Sequence, residues 1–579
     1  MLSEEERQEI ERRRKEWEEG TLKKTMQRFG VQESCQKFYT PLDIKDHNFV
    51  ENISFPGEYP FTAGIYAMAS PMEGLKTQAS GGLVRAGIYS GYGTAEDTRD
   101  YFKMIQAKGY PGGPNVAFDL PTQIGLDSDD PRARGEVGKV GVALDTFRDF
   151  EVLYEPYVGD KEIDKIASNF TINGMANIII AMYIALAENR GISPAKLRGT
   201  PQNDILKEFV ARGTYTFPTK PSMRMTRDSI VYCTQNLPLL NTVNVCGYHI
   251  REAGATREQT LAFTLSNAIA YVQLGIDAGL NVDSFVNRFA FLNFGGGMEI
   301  LKEIAHIRAA RRMWAKIMKE RFGAQNPRSW ILRLPAYTAC VGNISTTAQR
   351  PLNNHTRAVV GGVASALAGG EAVAFPPYDE PLGLGRSMEA LQLTQDAMRI
   401  LIHEAKLSEV IDPFAGSYYM EAMTDEIEEK TWAIIKQIDD MGGAVVAIEK
   451  GWMQREIAKS AHEYQRQIES GERMVVGVNC FAGEQELEVI PQRVVPDPYD
   501  PKKRVEAEER QLAKLAEVKR ERDNAAVEAS LKRLKETSGD ESANIIPPLV
   551  ECVKAYATLG EMVGTLKTVF GEHKEFASL

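Results

Sequence analysis

Three polar side chains have the types and spacing to do chemistry: Gln202 and Arg212, within GTPQNDILKEFVAR (199–212), and His249, which closes Gly247-Tyr248-His249. An amide, a guanidinium and an imidazole can hold a polar, anionic substrate by hydrogen bonds. No nucleophile, metal-ligand cluster or Ser-His-Asp order surrounds them, so a cofactor is expected to carry the hard chemistry. At neutral pH His249 is a ready donor or general acid toward a carbonyl oxygen, although a lone histidine is more often a satisfied structural one. Arg212 could clamp a carboxylate bidentately or cap a helix. Tyr89, inside a Gly/Ser-rich stretch, could be core packing or a lid over the pocket. Asp119 and Asp127, in FDLPTQIGLDSDDP, could be acids, and turn formation or helix capping explains them as well. None of these signals is specific alone.

The elements that must position these groups follow from hydrophobic periodicity. Between about 95 and 400, short apolar runs alternate with amphipathic helices. Strands are expected in NVAFDLP (115–121), ASNFTING (167–174), LRGTPQ (197–202), TVNVCGYH (242–249), RFAFLNF (288–294), WILRLP (330–335) and AVAFPP (372–377). Helices are expected over 176–189, 257–279 and 298–323. About seven or eight such units fit an α/β fold of the (β/α)8 TIM-barrel type better than an open sheet. Gln202 and His249 then fall at carboxyl ends of strands, where such barrels build their sites. Residues 1–60 read as an N-terminal arm, a charged helix followed by an extended wrapping segment, and 61–412 as the barrel. Residues 413–579 read as a C-terminal helical region, whose charged helices present a solvated face. The stretch 64–94 is so rich in Gly, Ser and Ala that it suggests backbone close to a ligand or another chain, or else a surface loop.

Composition bounds the rest. A chain of 579 residues exceeds one core, so two or more domains are expected. The net charge of −11 argues against a nucleic-acid surface. The longest apolar run, IIIAMYIALA (178–187), is about half the length of a membrane span. The N-terminus lacks the apolar core of a signal peptide. Six scattered cysteines form no CxxC pair and read as reduced thiols. A cytoplasmic enzyme is expected, with no nucleic acid or membrane partner.

Taken together, the motifs are specific. FPGEYPFT, GYGTAEDT, AFDLPTQIGLDSDDP, GEVGKVGVALDT, QNDILKEF, SMR, GYHIREAGAT, AKIMKERFGA, DPFAGSYYME, GGAVVAIEKGW and GVNCF span roughly 15–570. With them the chain resembles the large, substrate-binding subunit of the adenosylcobalamin-dependent acyl-CoA mutases, the methylmalonyl-CoA mutase family. The resemblance implies a (β/α)8 barrel with the substrate along its axis. It also implies a radical 1,2-rearrangement in which a carboxyl- or thioester-bearing group migrates. On this resemblance His249 would hydrogen-bond the thioester carbonyl, Gln202 would help hold the acyl group, and Tyr248 would line the substrate. Tyr89 matches the tyrosine that stacks on the reacting centre in malonyl-type mutases, and Arg212 the arginine that pairs with the free carboxylate. Relatives acting on isobutyryl-type substrates replace both, so their retention implies a malonyl- or succinyl-like substrate. Phe118, Leu120, Glu252 and Glu380 match positions facing the corrin.

Two departures stand out. No Asp-x-His-x-x-Gly occurs, and the chain stops where the family's cobalamin-binding domain would follow. A separate small cobalamin-binding subunit that supplies the cobalt ligand is therefore implied, in a hetero-oligomer built on a large-subunit dimer. The segments that wrap the CoA arm also differ: AMASPMEGLKTQASGGLVRAGIY lacks the usual aromatics, and Arg333-Leu334-Pro335-Ala336-Tyr337 and Glu371-Ala372-Val373-Ala374-Phe375-Pro376 replace polar runs. Arg288 and Arg328 survive as phosphate or pantetheine contacts. Loss of polar groups in such a site weakens binding strongly, so an unusual acyl group, a different grip on CoA, or a substrate without CoA is implied. A catalytically silent structural subunit is the remaining alternative, against which stand Tyr89, Gln202, Arg212 and His249.

Overall fold

The computed structural model describes residues 3–30, 38–44, 47–67, 89–107, 113–292, 294, 296–334, 344–369, 377–382, 388–407, 409–483 and 501–574. Six strands hold the centre: β1 (Tyr89–Ser90), β2 (Asn115–Ala117), β3 (Ala167–Thr171), β4 (Arg198–Gln202), β5 (Val243–Cys246) and β6 (Phe289–Leu292). All pairings are parallel, in the orders β1-β2-β3-β4 and β5-β6. The two sheets approach through Gly199, which bridges Leu240 and accepts the Asn241 amide at 2.9 Å. Every strand therefore neighbours the next one in the chain. Helices Ala95–Ala107, Ala176–Asn189, Thr219–Asn236, Arg257–Asp277 and Ile300–Lys316 run between or after them, giving an α/β architecture.

The strands expected at 115, 167, 197, 242 and 288 form, shortened by turn residues at their ends. All four residues of β5 are buried, as a parallel strand covered on both faces requires. Residues 331–334 form no strand, yet the Arg333 carbonyl accepts the Phe291 amide of β6 at 2.7 Å, so this segment runs alongside. The segment expected to close the barrel, 372–377, lies outside the described residues except for Pro377. The strand β1 was not expected, because its two residues follow a Gly-rich stretch that carries no periodicity.

Two large hydrophobic clusters form around the strands. One joins β5 and β6 to helices Arg257–Asp277, Ile300–Lys316 and Tyr418–Met441. The other joins β2 and β3 to Ala176–Asn189 and to the C-terminal helices Asn524–Gly539, Ile546–Lys554 and Leu559–Phe570. Helix Ala176–Asn189 is apolar all round, and Ala176 through Ala187 are all buried. A helix with no polar face must be covered on every side, and the sheet and Ile546–Lys554 do so. Each fully buried Ile or Leu contributes roughly 1.5–3 kcal/mol. Among the described residues no helix is long and apolar enough to cross a membrane.

Two expectations need correction. Residues 21–60 are not simply extended: Lys23–Phe29 continues the N-terminal helix Glu4–Trp17 through a π-helical turn, and Pro41–Ile44 and Phe49–Ile53 form further turns. The periodicity was hidden because none of the residues in these first helices is buried, so no apolar face had to be encoded. The charged helix Pro501–Glu521 is not merely solvated. Lys514 pairs with Glu96 and Asp149, Arg510 with Asp97, and buried Gln511 donates to Asp145 at 2.7 Å. One face of it is docked, by these polar contacts together with the buried Ala507, Leu515 and Val518.

Candidate active site

The QND triplet separates into one group left open and two that build. Asn203 accepts the Asn244 amide at 3.2 Å and donates to the Thr242 carbonyl at 2.8 Å. Asp204 accepts the Cys246 amide at 2.8 Å and the Tyr271 hydroxyl at 2.6 Å. Both stitch the carboxyl end of β4 to β5. Burial raises the Asp204 carboxyl to about 6 against these contacts. Gln202, the last residue of β4, is 4% exposed, and its Oε1 has no hydrogen-bond partner among the described residues. A buried unmade hydrogen bond costs about 1–3 kcal/mol, which a ligand donor would remove.

His249 follows β5 in the short helix Tyr248–Glu252. The turn into that helix passes through Gly247, where a Cβ would lie 2.8 Å from Thr264 Oγ1 and 3.1 Å from Phe294 Cα. Only glycine lets the strand end this close to its neighbours. Tyr248 packs edge-on against the His249 ring at 5.3 Å. Burial first, and then the charges of Lys207 and Arg212, push the His249 pKa well below its ordinary value, so the ring is neutral at pH 7. Its Nδ1 lies 3.5 Å from Cys246 Sγ. Burial pushes that thiol up to about 11, so it keeps its proton. A thiol donating to Nδ1 leaves the imidazole proton on Nε2, free to donate to a carbonyl oxygen.

Arg212 ends the π-helical turn Glu208–Arg212. Its Nη1 donates to Gln123 Oε1 at 2.6 Å, Thr214 Oγ1 at 3.0 Å and Glu208 Oε1 at 3.4 Å. Gly213, at φ 87°, turns the chain back so that the Thr214 amide and hydroxyl both donate to Glu208 Oε2. Lys207, fully buried, donates to Asn173 Oδ1 at 2.7 Å and to Glu208 Oε1. Burial works to raise the Glu208 carboxyl, but Lys207 and Arg212 outweigh it and hold it below the usual range. Gln123, Asn173, Lys207, Glu208 and Thr214 were missed by the sequence reasoning. Their signal is weak, because each is a common polar residue whose importance depends on three separate strand ends meeting. Lys207-Glu208 inside an otherwise apolar helical stretch was the one available clue.

The other candidates disperse. Tyr89 opens β1 in register with Asn115, and only its backbone is described. Asp119 caps Leu120–Ile124 and accepts the Gly138 amide at 2.7 Å, while Asp127 accepts Thr558 Oγ1 and the Gly560 amide, both at 2.6 Å. Both are structural. Phe118, expected toward a corrin, is fully buried with its ring against Phe170 in the core; only its carbonyl, which accepts Gln123 Nε2 at 2.6 Å, reaches the site. Leu120 and Glu252 are half-buried beyond the ends of β2 and β5, and Glu380 is exposed in a separate turn. Among the described residues no group of three His, Cys, Asp or Glu could hold a metal ion.

Arg288 lies at the opposite end of the strands, directly before β6. Burial and the neighbouring charges of Arg333, Arg198 and Arg328 lower its pKa, so four guanidinium groups lie close together there. Arg198 opens β4, and Arg333 donates to Asn241 Oδ1 at 3.0 Å and the Asn287 carbonyl at 3.2 Å, just before β5 and β6.

Comparison with known proteins accords with this geometry. The sequence profile of the family described as methylmalonyl-CoA mutase matches residues 30–572. The chain is 40% identical over 540 residues to the 2-hydroxyisobutanoyl-CoA mutase large subunit of Aquincola tertiaricarbonis, covering 93% of this chain and 91% of that one. It is 38% identical over 485 residues to methylmalonyl-CoA mutase of Escherichia coli strain K12, covering 84% of this chain and 65% of that one. With the mitochondrial methylmalonyl-CoA mutase of Homo sapiens it shares 35% identity over 521 residues, 90% of this chain and 66% of that one. It thus spans about two thirds of the length of these two mutases and nearly all of the large subunit. The chain belongs to the methylmalonyl-CoA mutase family.

Proposed function

We propose that this chain is the catalytic large subunit of an adenosylcobalamin-dependent isomerase that rearranges the carbon skeleton of a carboxylated, malonyl- or succinyl-type acyl-CoA. The observation that carries this reading is the placement of complementary polar groups at both ends of one strand. Gln202 closes β4, His249 follows β5 within reach of the Arg212 charge, and Arg198 opens β4 beside Arg288. Five residues of parallel strand span about 13 Å. A ligand with a polar acyl head and a phosphate-bearing tail, joined by a long thin arm, fits that separation. A CoA thioester running along the axis of a (β/α)8 barrel is such a ligand, and sequential parallel strands support the barrel.

In this reading Gln202 and neutral His249 hold the thioester carbonyl, and Arg212 pairs with the free carboxylate. Neutral imidazole suits the task, since it donates from Nε2 without placing a charge beside a reacting radical. Tyr248 and the apolar walls exclude water from the acyl group. Adenosylcobalamin, with its cobalt ligand from a separate small subunit, would supply the hydrogen-abstracting radical. The half-buried Leu120 and Glu252, at the carboxyl ends of β2 and β5, fit a flat macrocycle laid over that end, and the core-bound Phe118 side chain does not. Oligomers built on a large-subunit dimer, with residues 61–412 as the barrel, belong to the same proposal.

The test is reconstitution with a small cobalamin-binding subunit and adenosylcobalamin, assayed against malonyl- and succinyl-type thioesters. Turnover is expected only with both subunits, and Arg212→Ala should lower kcat/KM on the carboxylated substrate about 100-fold or more. Full activity of the complex with His249→Ala would instead make this chain a silent structural subunit.

A further inference from the structure

We propose that Glu208 and Thr214 are positioning residues that select for a carboxylated acyl group, by fixing which edge of Arg212 faces the pocket; the inference rests on the substrate class proposed above. Every hydrogen bond that Arg212 makes to described residues leaves from Nη1, toward Gln123, Thr214 and Glu208. Its Nε and Nη2 make none to them. A carboxylate is held best by two adjacent N–H groups in one plane, and the Nε–Nη2 edge is such a pair. The side chain is 22% exposed and Glu208 is 0% exposed, so the anchor is buried while part of Arg212 stays open.

The anchor is rigid for a local reason. Gly213 takes the left-handed conformation that brings Thr214 back over Glu208, and the Thr214 hydroxyl then serves two partners. It donates its proton to Glu208 Oε2 and accepts from Arg212 Nη1. Lys207 donates to the other carboxylate oxygen and is itself held by Asn173 Oδ1. Without Glu208, Lys207 and Arg212 would face each other as two cations in a site largely closed to water. Without the Thr214 hydroxyl, the guanidinium could rotate about its long stem and the selective edge would be lost, while the fold stayed intact.

The experiment measures equilibrium binding of succinyl-CoA and butyryl-CoA to the full chain by calorimetry. The two probes differ only in a terminal carboxylate against a methyl group. The wild-type chain is expected to prefer succinyl-CoA. Thr214→Val should weaken succinyl-CoA by about tenfold, the worth of a hydrogen bond to a charged group, and leave butyryl-CoA within about twofold. Thr214→Ser, which keeps the hydroxyl, should restore the preference. Glu208→Gln, which keeps the shape and loses the charge, should reduce the preference further if the variant folds. An unchanged ratio in Thr214→Val, or an equal loss for both probes, would overturn the positioning role and leave Arg212 as a selector set by other contacts. No preference in the wild-type chain would instead sink the carboxylate reading itself, and this inference with it.

Discussion

The two ends of β4 carry their positive charge in different ways. At the amino end Arg198 and Arg328 are exposed and Arg288 is half-buried, its pKa lowered by burial and then by the like charges around it. At the carboxyl end one guanidinium is pinned by a buried carboxylate, and its neighbours are a neutral imidazole and an amide. Exposed, crowded cations attract any polyanion, and salt screens them. A single oriented fork, 22% exposed and backed by a fully buried carboxylate, recognises shape and charge together, and salt screens it less. In the proposed reading the contrast gives general affinity to one end and selection to the other.

The largest effect should come from breaking the buried end alone. Glu208→Ala leaves Lys207 without its counter-ion and is expected to cost about 3–5 kcal/mol of stability, read by urea denaturation. A loss below about 1 kcal/mol would mean that water reaches Lys207 and that the two ends differ less than their burial indicates. Next in size is Gly247→Ala, whose Cβ would meet Thr264 Oγ1 at 2.8 Å. Overpacking of this kind costs about 1–3 kcal/mol, and the helix bearing His249 should move, lowering turnover while CoA binding at the far end is retained.

Arg288→Ala should weaken CoA thioester binding about fivefold at low salt and less at high salt, as expected for a partly exposed charge. Its ratio of succinyl-CoA to butyryl-CoA affinity should stay that of the wild type. A change in that ratio would erase the division of labour between the ends.

The smallest effect at neutral pH concerns His306, whose ring is 0% exposed, packs 5.8 Å from Phe294 and has no hydrogen-bond partner among the described residues. Burial pushes its pKa down to about 3. The unfolded chain then takes up a proton near the ordinary histidine value while the folded one does not. Stability from the neutral ring is present above about pH 6.5 and is lost as pH falls toward 3. Asp204, raised to about 6, works the other way between its unfolded value and that pH. His306→Leu should therefore change stability by less than about 1 kcal/mol at pH 7 and become increasingly stabilising relative to wild type below pH 6. A constant difference across that range would mean that the ring is protonated in the fold.

Much of the architecture was legible in the chain. The β-branched run TVNV and the all-apolar IIIAMYIALA announced their elements because burial on every side leaves a compositional mark. The N-terminal helix Lys23–Phe29 left none, since a solvated helix places no demand on apolar spacing, and in Pro501–Glu521 the buried Ala507, Leu515 and Val518 are sparse among charged residues whose ion pairs leave no such mark. The site was half legible. Gln202 and His249 are conspicuous as polar residues at strand ends and Arg212 as a guanidinium in the helical turn beyond, and the structure puts His249 within reach of the Arg212 charge. Asp119 and Asp127, equally conspicuous, turned out to cap and to tie.

The sequence alone determined the chemistry on offer: an amide, a guanidinium and an imidazole, one glycine at the turn before the imidazole, and motifs that placed the chain in its family. Which groups are free to act was decided only in three dimensions. Among the described residues Gln202 Oε1 has no partner, and Arg212 is pinned by one nitrogen because Gln123, Glu208 and Thr214 meet it from other parts of the chain. Hydrogen-bond satisfaction and desolvation are properties of a residue's surroundings, and those surroundings come from parts of the chain up to 89 positions away.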